Sequence, residues 1–541
     1  MAFLPTTTTV TAAGRNSHGT QSTSMPQHDQ TTRWCVLVAC LGVLLASFGS
    51  ACLTHASMCP ATDKTSIGIL LVMIGGTTLV PVTACLAAYF LDRKHQLDDH
   101  AKIPLLASPR IVMGRATRYR TWVYLYTSHF LTSWIDRMWQ YAVPLLLTEL
   151  FPATLLQNVV FQLVVYVFLV LTMPFLGQFV DRVNRWRVLR VAVVSTNAMV
   201  LASTAAFGMV VFLHETTPDH WLLYPAMAVV LACSAVGQMF NDLQTLSLEK
   251  DWIVELSNWT DTPLAPWNTS FLRMDLTARI LAPTAFTFLV DAFQGTSPLF
   301  LLVGIAAWAI LLAPLEYATL ADVYAFCPPL ADKKRPKVAP SYGAMWTTYF
   351  ANPTFLVSFS FCALYMTVLK ENALSSAYLI WHGAAPSAVG WTMGLGAYCG
   401  FLSTLAFPHL LRAFQYAESV ALSSVWAYFV FLLPALYVVL WPLGPAADIV
   451  LMTVLAASQF WLWCTSLAET QIMQEWVQPD RRGVVNAMQH TTNKGFYILL
   501  LAVGAVFADP TDFPILIAVS LVATLAAAIG VTLWYHRHRD T

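Results

Sequence analysis

The stretch TLLQNVVFQLVVYVFLVLTMPFLGQFVDRVNRWRVLRVAVVSTNAMVLASTAAFGMVVFL, residues 154–213, decides the fold class. It holds two apolar runs, 154–178 and 187–213, and each reaches the ~20 residues a helix needs to cross a bilayer. A short turn carrying Asp181, Arg182, Arg185 and Arg187 separates them. The rest of the chain points the same way. Of 541 residues, 57% are hydrophobic and only 11% charged, whereas soluble domains carry roughly 25% charged residues. So few charges do not cover so much apolar surface in water, and lipid is the expected solvent. The net charge of +0 offers no basic footprint, so nucleic acid is not an expected partner. Ten cysteines lie scattered with no C-x-x-C pair, which argues against a zinc finger or a disulfide framework. Cys52 and Cys59 flank a short loop; a bridge is open to them, and unpaired small hydrophobes are the commoner case.

Outward from this pair, the same pattern recurs. Two early apolar runs fall near 34–54 and 66–92. Twelve follow, near 122–148, 154–178, 187–213, 220–246, 269–292, 296–320, 345–369, 386–409, 415–440, 447–475, 483–507 and 512–535, numbered here as core spans one to twelve. Basic residues cluster at 93–120, at Arg182, Arg185 and Arg187, at Lys333, Lys334, Arg335 and Lys337, at Arg412, at Arg481 and Arg482, and at Arg537 and Arg539. The alternate loops, 149–153, 214–219, 293–295, 441–446 and 508–511, contain no Lys or Arg. Positive charge stays in the cytosol, so the basic loops and both ends of the chain are placed there. The basic segment 321–344 divides the twelve spans into an N-lobe, 122–320, and a C-lobe, 345–535, as in two-lobed transporters built from repeats. Residues 93–121 form a basic cytosolic linker and 536–541 a short cytosolic tail. The Thr/Ser-rich stretch 1–33 reads as a disordered cytosolic tail, with a transit peptide as the alternative. The fold class is thus all-α: a two-lobed bundle of twelve membrane helices with two extra helices ahead of it.

Ionisable groups at bilayer depth cost ~2.5–3.5 kcal/mol each on insertion scales, so each needs a reason. Span one carries Asp136 and Arg137 within HFLTSWIDRMWQYAV, and His129, Asp136 and Gln140 share one helical face. Asp136 and Gln140, four apart, can offer two oxygens to one cation; the bland alternative is an Asp–Arg pair that staples helices. Asp275 and Arg279 in span five are also four apart and can neutralise each other. Glu316 lies late in span six, and Glu469 lies in span ten ahead of Gln471, Gln474 and Glu475. His490 stands among Asn486, Gln489 and Asn493 in span eleven, a polar stripe that must face a cavity or another helix. Lys370, Glu371 and Asn372 interrupt the apolar run of span seven, which is either its outer end or an unwound segment at a binding site. Of the turn already quoted, Gly177 permits close helix approach, and Asp181 with Arg182, Arg185 and Arg187 forms a charged cytosolic motif. The bland reading is a loop that only sets topology.

These motifs resemble those of the ferroportin family, solute carrier family 40, on a major-facilitator scaffold. The resemblance runs from about residue 122 onward. It rests on Asp136-Arg137-Met138-Trp139, on Gly177, Asp181 and Arg185, on Asp251-Trp252-Ile253-Val254, and on Asn268 and Asp275. Tyr365 to Leu369, Thr470-Gln471, Gln474-Glu475, Arg482-Gly483, Asn486, Gln489 and Asn493 extend it through the C-lobe. The resemblance implies export of Fe²⁺ or a related divalent metal by alternating access, with proton exchange. It gives Asp136 a cation-site role and places Asp181, Arg185, Asp251, Asn268, Asp275 and Arg482 in gating, with a carboxylate–guanidinium contact across the lobes at the cytosolic end.

The departures from the family pattern are specific. Gln140 stands where a histidine is usual, Asn372-Ala373 where Asp-Cys is usual, and Leu500 where a second histidine is usual. Thr196 and Ala309 replace two ligands of a regulatory Ca²⁺ site whose other positions are Asp136 and Glu316, so that ion is not expected to be retained. Loss of a thiolate and two imidazoles removes soft ligands that suit transition metals. Glu371, Asn372 and His490 are the replacement C-lobe ligands, provided that they converge. The metal or substrate set is then Asp136, Gln140, Glu316, Asn372 and His490.

Apart from the transported cation, no cofactor is expected. The partners expected are the bilayer and a divalent metal ion, the state a monomer and the location the plasma membrane. An organic-solute carrier on the same scaffold is the alternative, with Trp139, Tyr365 and Trp463 lining its cavity. A transport-inactive receptor is a third reading. No H-E-x-x-H, G-x-S-x-G or P-loop marks an enzyme. Both glycosylation sequons, at Asn258 and Asn268, fall in or beside a cytosolic loop and should stay bare.

Overall fold

The structure is a computed structural model that describes residues 115–538, apart from 151–155, 218–220, 293–298, 333–339, 371–372, 385, 437–444 and 508. The early spans at 34–54 and 66–92 and the tail 1–33 lie outside the described residues. Every described element is helical. In the N-lobe these are α1 (Arg115–Leu150), α2 (Leu156–Arg182), α3 (Arg185–Thr216), α4 (Leu223–Ser247), α5 (Ile253–Thr260), α6 (Leu264–Ala292) and α7 (Leu299–Phe326). In the C-lobe they are α8 (Tyr342–Phe350), α9 (Phe355–Ala363), α10 (Ala373–Trp381), α11 (Pro386–Phe414), α12 (Ala417–Leu432), α13 (Pro445–Trp476), α14 (Arg482–Val506) and α15 (Phe513–His538).

Among the described residues, seven helices are long and apolar enough to cross a membrane. Those that fall short do so for physical reasons. Helix α1 carries Asp136 and Arg137, α6 carries Arg273, Asp275 and Arg279, and α14 carries His490 and Lys494. Helices α9 and α10 are nine residues each. The helices that fail on apolarity are thus the ones whose polar side chains turn inward. Outward-facing positions are apolar instead: Leu171, Phe175, Val194, Phe212, Val303 and Val522 are all exposed, as a lipid-facing surface requires.

Two large clusters of buried apolar side chains correspond to the two lobes. One runs from Tyr124 to Leu330 and the other gathers residues from Val357 to Trp534. Lipid is as apolar as leucine, so close backbone approach and interhelical polar contacts hold such helices together. Gly177 of α2 and Gly483 of α14 show this across the lobes. A Cβ on Gly177 would lie 2.6 Å from the Gly483 carbonyl oxygen.

Span seven is where the structure corrects the expected boundaries. Residues 345–369 are not one helix: α8 ends at Phe350, a turn over 351–354 follows, and α9 begins at Phe355. The helix then opens over 364–370 and resumes as α10. The interruption is therefore an unwound segment and not the outer end. Its freed backbone donors find side-chain acceptors. The amide of Val368 donates to Ser520 Oγ on α15 at 2.9 Å, and the amide of Leu369 to Thr367 Oγ1 at 3.0 Å. A break at this depth persists only where such partners replace the lost helical bonds. A second irregularity lies at the C-terminal end of α4, where Leu248–Trp252 form a π-helical turn before α5. Such turns interrupt helical register and recur at functional sites.

Candidate functional site

The inward-turned residues of α1, α2, α4, α6, α13, α14 and the unwound segment line a cavity of about 460 Å³ between the lobes. Asp136 lines it, with its side chain 13% exposed. The guanidinium of Arg137 points elsewhere: its Nη2 is 2.8 Å from Asp275 Oδ1 on α6, while Nη1 is 4.0 Å from Asp136 Oδ2. Arg279 completes the group at 3.5 Å from Asp275 Oδ2. Asp275 is thus the counter-ion of two arginines in the cavity wall. It also lines the chamber that holds Lys250, Asn268 and Thr470, next to the interlobe contacts where a gating role was expected of it.

Gln140 also needs correcting. Its Nε2 donates to both oxygens of Asp136, at 3.0 and 2.9 Å, and its Oε1 accepts from Arg137 Nη1 at 3.0 Å. The amide therefore offers Asp136 a donor, where the sequence reading expected a second ligand oxygen. An amide presents both functions, and the neighbouring guanidinium claims the oxygen.

Glu316 is buried outside this cavity, in a chamber of about 30 Å³ that also borders Asp136. A volume of that size is about one water's share of liquid. Gln244 Nε2 and Thr132 Oγ1 donate to Glu316 Oε1, the former at 2.6 Å, and Asn197 Nδ2 approaches Oε2 at 3.4 Å. Both carboxylate oxygens therefore have protein donors.

Beside the main cavity, a second chamber of about 270 Å³ continues toward Lys250, Asn268 and Thr470, sharing Glu249, Asp275, His490 and Asn493. His490 lines both chambers, and its Nδ1 has no hydrogen-bond partner among the described residues. Glu469, on the C-lobe side of the second chamber, accepts from Gln489 Nε2. His129 Nε2 lies 3.9 Å from Glu249 Oε1. Asn372 and Glu371 lie outside the described residues. Tyr365 and Trp463 line the main cavity as expected of cavity aromatics, while Trp139 is buried beside the small chamber. Among the described residues, no group of three or more His, Cys, Asp or Glu side chains is arranged to hold a metal ion.

The lobes are tied together at the end of the bundle that carries the turn after α2. Asp181, at the end of α2, accepts from the backbone amides of Gly483 at 2.6 Å and Val484 at 2.8 Å, the first turn of α14. A carboxylate there satisfies amides that helix geometry leaves unpaired, and it faces the positive end of the helix dipole. Asn268 and Gln474 exchange two amide hydrogen bonds across the lobes, at 2.7 and 3.0 Å, and Lys250 Nζ donates to Thr470 Oγ1 at 3.1 Å. Arg185 acts within the N-lobe. It bonds Asp251 through two nitrogens, at 3.0 and 2.9 Å, with Glu255 at 3.1 Å and the Asp332 carbonyl at 2.8 Å. Asp251 is therefore taken by its own lobe. Arg482 is buried, its Nε and Nη1 without hydrogen-bond acceptors among the described residues. Arg482 lies close enough for the charges of Asp251, Glu255 and Asp181 to act on it across the lobes, and the hydrogen-bonded interlobe contact of a carboxylate is that of Asp181 with backbone amides.

Reading from sequence missed Gln238, Asn241, Asp242 and Glu249, all of which line the main cavity. Their signal was present in GQMFNDLQTLSLEKD, where polar residues recur at spacings of three, four and seven on one helical face.

Comparison with known proteins bears on this geometry. The family model described as "Ferroportin1 (FPN1)" matches residues 119–344 and 338–524. A rice protein, "Solute carrier family 40 member 1", is 27% identical over 472 residues, which cover 82% of this chain and 96% of that protein. A crystal structure of a bacterial homologue of the iron transporter ferroportin, outward-facing with soaked iron, superposes with a TM-score of 0.67. It is 25% identical and covers 76% of this chain and 98% of its own. The major facilitator superfamily transporter FucP in its outward conformation shares the fold alone, at 12% identity and a TM-score of 0.51, covering 76% of this chain and 97% of its own.

Proposed function

The chain belongs to the ferroportin family, and from that premise we propose that it is an alternating-access exporter of Fe²⁺ or a related divalent metal. The observation that carries this is Asp136. Its carboxylate faces a cavity between two lobes, while the adjacent Arg137 is drawn off to Asp275 at 2.8 Å. A carboxylate locked onto its own neighbour would have no charge to spare for cargo. One held by a neutral amide keeps its negative charge and its remaining lone pairs for a cation. Alternating access is supported by the interlobe contacts at one end of the bundle. Asp181, Asn268 and Lys250 tie the lobes together there, each through contacts that can break without unfolding either lobe.

In our reading the protein works as a monomer. Its twelve spans are preceded by two more at 34–92. Protons replace the metal on the return step, since a carboxylate that releases a dication outside can take up a proton instead. Regulatory calcium has no place in this scheme, because Glu316 already has protein donors on both oxygens. The test is efflux of ⁵⁷Co²⁺ and ⁵⁵Fe²⁺ from proteoliposomes containing the full chain. Efflux should exceed that from empty vesicles and should depend on an inward proton gradient. Retention of both metals at verified reconstitution would end the metal reading.

A further inference from the structure

His129 and Glu249 face each other in the main cavity without bonding. His129 stands on α1, two turns before Asp136, and its side chain is 7% exposed. Its ring packs on Phe271 of α6 with centroids 4.2 Å apart, and its Nε2 has no hydrogen-bond partner among the described residues. Glu249 stands on the π-helical turn after α4 and borders both chambers, its side chain 28% exposed. The 3.9 Å between His129 Nε2 and Glu249 Oε1 is too wide for a hydrogen bond, which reaches to roughly 3.2 Å. It does suit two ligands of one ion. A transition-metal ion such as Zn²⁺ sits ~2.0–2.2 Å from an imidazole nitrogen or a carboxylate oxygen, so two such ligands of one ion lie about 3–4 Å apart.

The neighbouring charges are already engaged elsewhere. Asp275 is held by Arg137 and Arg279, and Lys250 Nζ donates to Thr470 Oγ1 at 3.1 Å. The π-helical turn is placed from the other lobe, since Gln474 Nε2 of α13 donates to the Glu249 carbonyl oxygen at 2.8 Å. Glu249 is therefore positioned by interlobe contacts, whereas His129 belongs to the same continuous helix as Asp136. The pair comes together in the conformation in which those contacts are made.

We propose that His129 and Glu249 form a second metal station beside Asp136, one that takes a divalent transition-metal ion and rejects Ca²⁺ and Mg²⁺. This rests on the metal-carrier reading above and deepens it by naming the class of metal. An imidazole nitrogen suits a transition metal, whereas Ca²⁺ and Mg²⁺ are bound by oxygens. The family pattern supplies imidazoles where Gln140 and Leu500 stand here, and His129 returns one to the cavity. Two protein ligands leave the other coordination positions to water, so the ion is held without being caged.

The test uses the purified full chain with Asp136→Asn, so that the first cation ligand is removed and Co²⁺ reports on the second station alone. Isothermal titration should still find one Co²⁺ per chain, undisturbed by a hundredfold excess of Ca²⁺. Adding Glu249→Gln, a change at a cavity-facing side chain, should weaken that binding at least tenfold. His129→Cys should give a thiolate–cobalt charge-transfer band that the His129 parent lacks, a signal no structural role produces. Unchanged Co²⁺ affinity in the Glu249→Gln variant overturns the station and leaves an ion pair in its place. Displacement of Co²⁺ by Ca²⁺ overturns the selectivity. A folded His129→Cys variant without the band overturns the assignment to this ring. Each of these results leaves the carrier reading standing if the unsubstituted chain still moves ⁵⁷Co²⁺ across vesicles; absence of that flux overturns the carrier first and the station with it.

Discussion

On the N-lobe wall Asp136 stands on α1, a helix that runs unbroken for 36 residues. On the C-lobe wall Lys370 stands where α9 and α10 are separated by an unwound stretch. The two walls solve different problems. A continuous helix satisfies its own backbone and fixes a side chain by packing alone, so a carboxylate on it keeps one position through a transport cycle. An opened helix must borrow partners for its amides, here Ser520 and Thr367. Those borrowed bonds tie the segment to α15 and make its position depend on how the C-lobe helices sit. The family pattern places a second set of soft ligands on this wall; here the corresponding residues are Asn372, Ala373 and Leu500. The described C-lobe residues that line the cavity are aromatic, amide, hydroxyl and imidazole groups with Lys370, Lys494 and Leu500. Among the described lining residues the carboxylates all stand on the N-lobe wall, so a cation is expected to be read there.

The sharpest way to break this contrast is to remove the N-lobe charge. Asp136→Asn keeps the shape and the contact with Gln140 and deletes the charge. Loss of a charged ligand in a poorly solvated site costs ~1.5–3 kcal/mol, so ⁵⁷Co²⁺ efflux should fall by roughly 100-fold at the upper end of that range. Vesicle flux at matched protein density measures it, and a loss of less than threefold would remove Asp136 from the cation path.

The next effect in size concerns the end where the lobes are tied together. Gly177→Val places a side chain where a Cβ already meets the Gly483 carbonyl at 2.6 Å and the Ala487 Cβ at 2.5 Å. The two helices must then separate, and the conformation with its cavity open to the outside becomes rare. Efflux should drop by about tenfold or more, in keeping with the ~1–3 kcal/mol cost of overpacking. Labelling of a Tyr497→Cys reporter from the outer face should slow in parallel. Undiminished labelling would mean that α2 and α14 do not form the gate.

A smaller shift is expected from Asp181→Asn, because the neutral amide can still accept one backbone hydrogen bond. A carboxylate at a helix N-terminus contributes ~0.3–2 kcal/mol. Outer labelling of the same reporter should therefore slow by about fivefold, with thermal stability of the purified protein held within a few degrees. A large fall in stability would assign Asp181 to folding of the N-lobe, the part that Arg185 plays through Asp251 and Glu255.

The layout of the bundle was legible because lipid acts on long runs of residues. Apolar length marked the spans. Individual contacts were less legible. Asp181 and Gly483 are 302 positions apart, and nothing local marks the carboxylate as a cap for that helix. Gln140 was readable as a polar neighbour of Asp136, but whether its oxygen or its nitrogen faces the carboxylate depends on Arg137, which in turn follows Asp275 from another helix. The break in span seven could be suspected from Lys370, Glu371 and Asn372. Its extent depends on Ser520, a residue of α15, and could not be read locally. Arg482 shows the limit most plainly. The residue type suggested a salt bridge, and three-dimensional packing gave Asp251 to Arg185 instead.

His490 offers the smallest effect and the finest test of the contrast between walls. It is the imidazole that borders both chambers, on the C-lobe side, with Nδ1 free of hydrogen-bond partners among the described residues. If metal selectivity sits with Asp136, this ring serves a cation in passage between the two chambers and holds none at rest. His490→Ala should then slow ⁵⁷Co²⁺ efflux by about threefold and leave equilibrium Co²⁺ affinity of the outward-facing protein unchanged, since an interaction made in transit changes rate without changing resting affinity. Isothermal titration beside the flux assay separates the two quantities. A loss comparable to that of Asp136→Asn, together with weakened binding, would show that the C-lobe wall holds a metal site of equal standing. The assignment of metal selectivity to the N-lobe wall would then have to be abandoned.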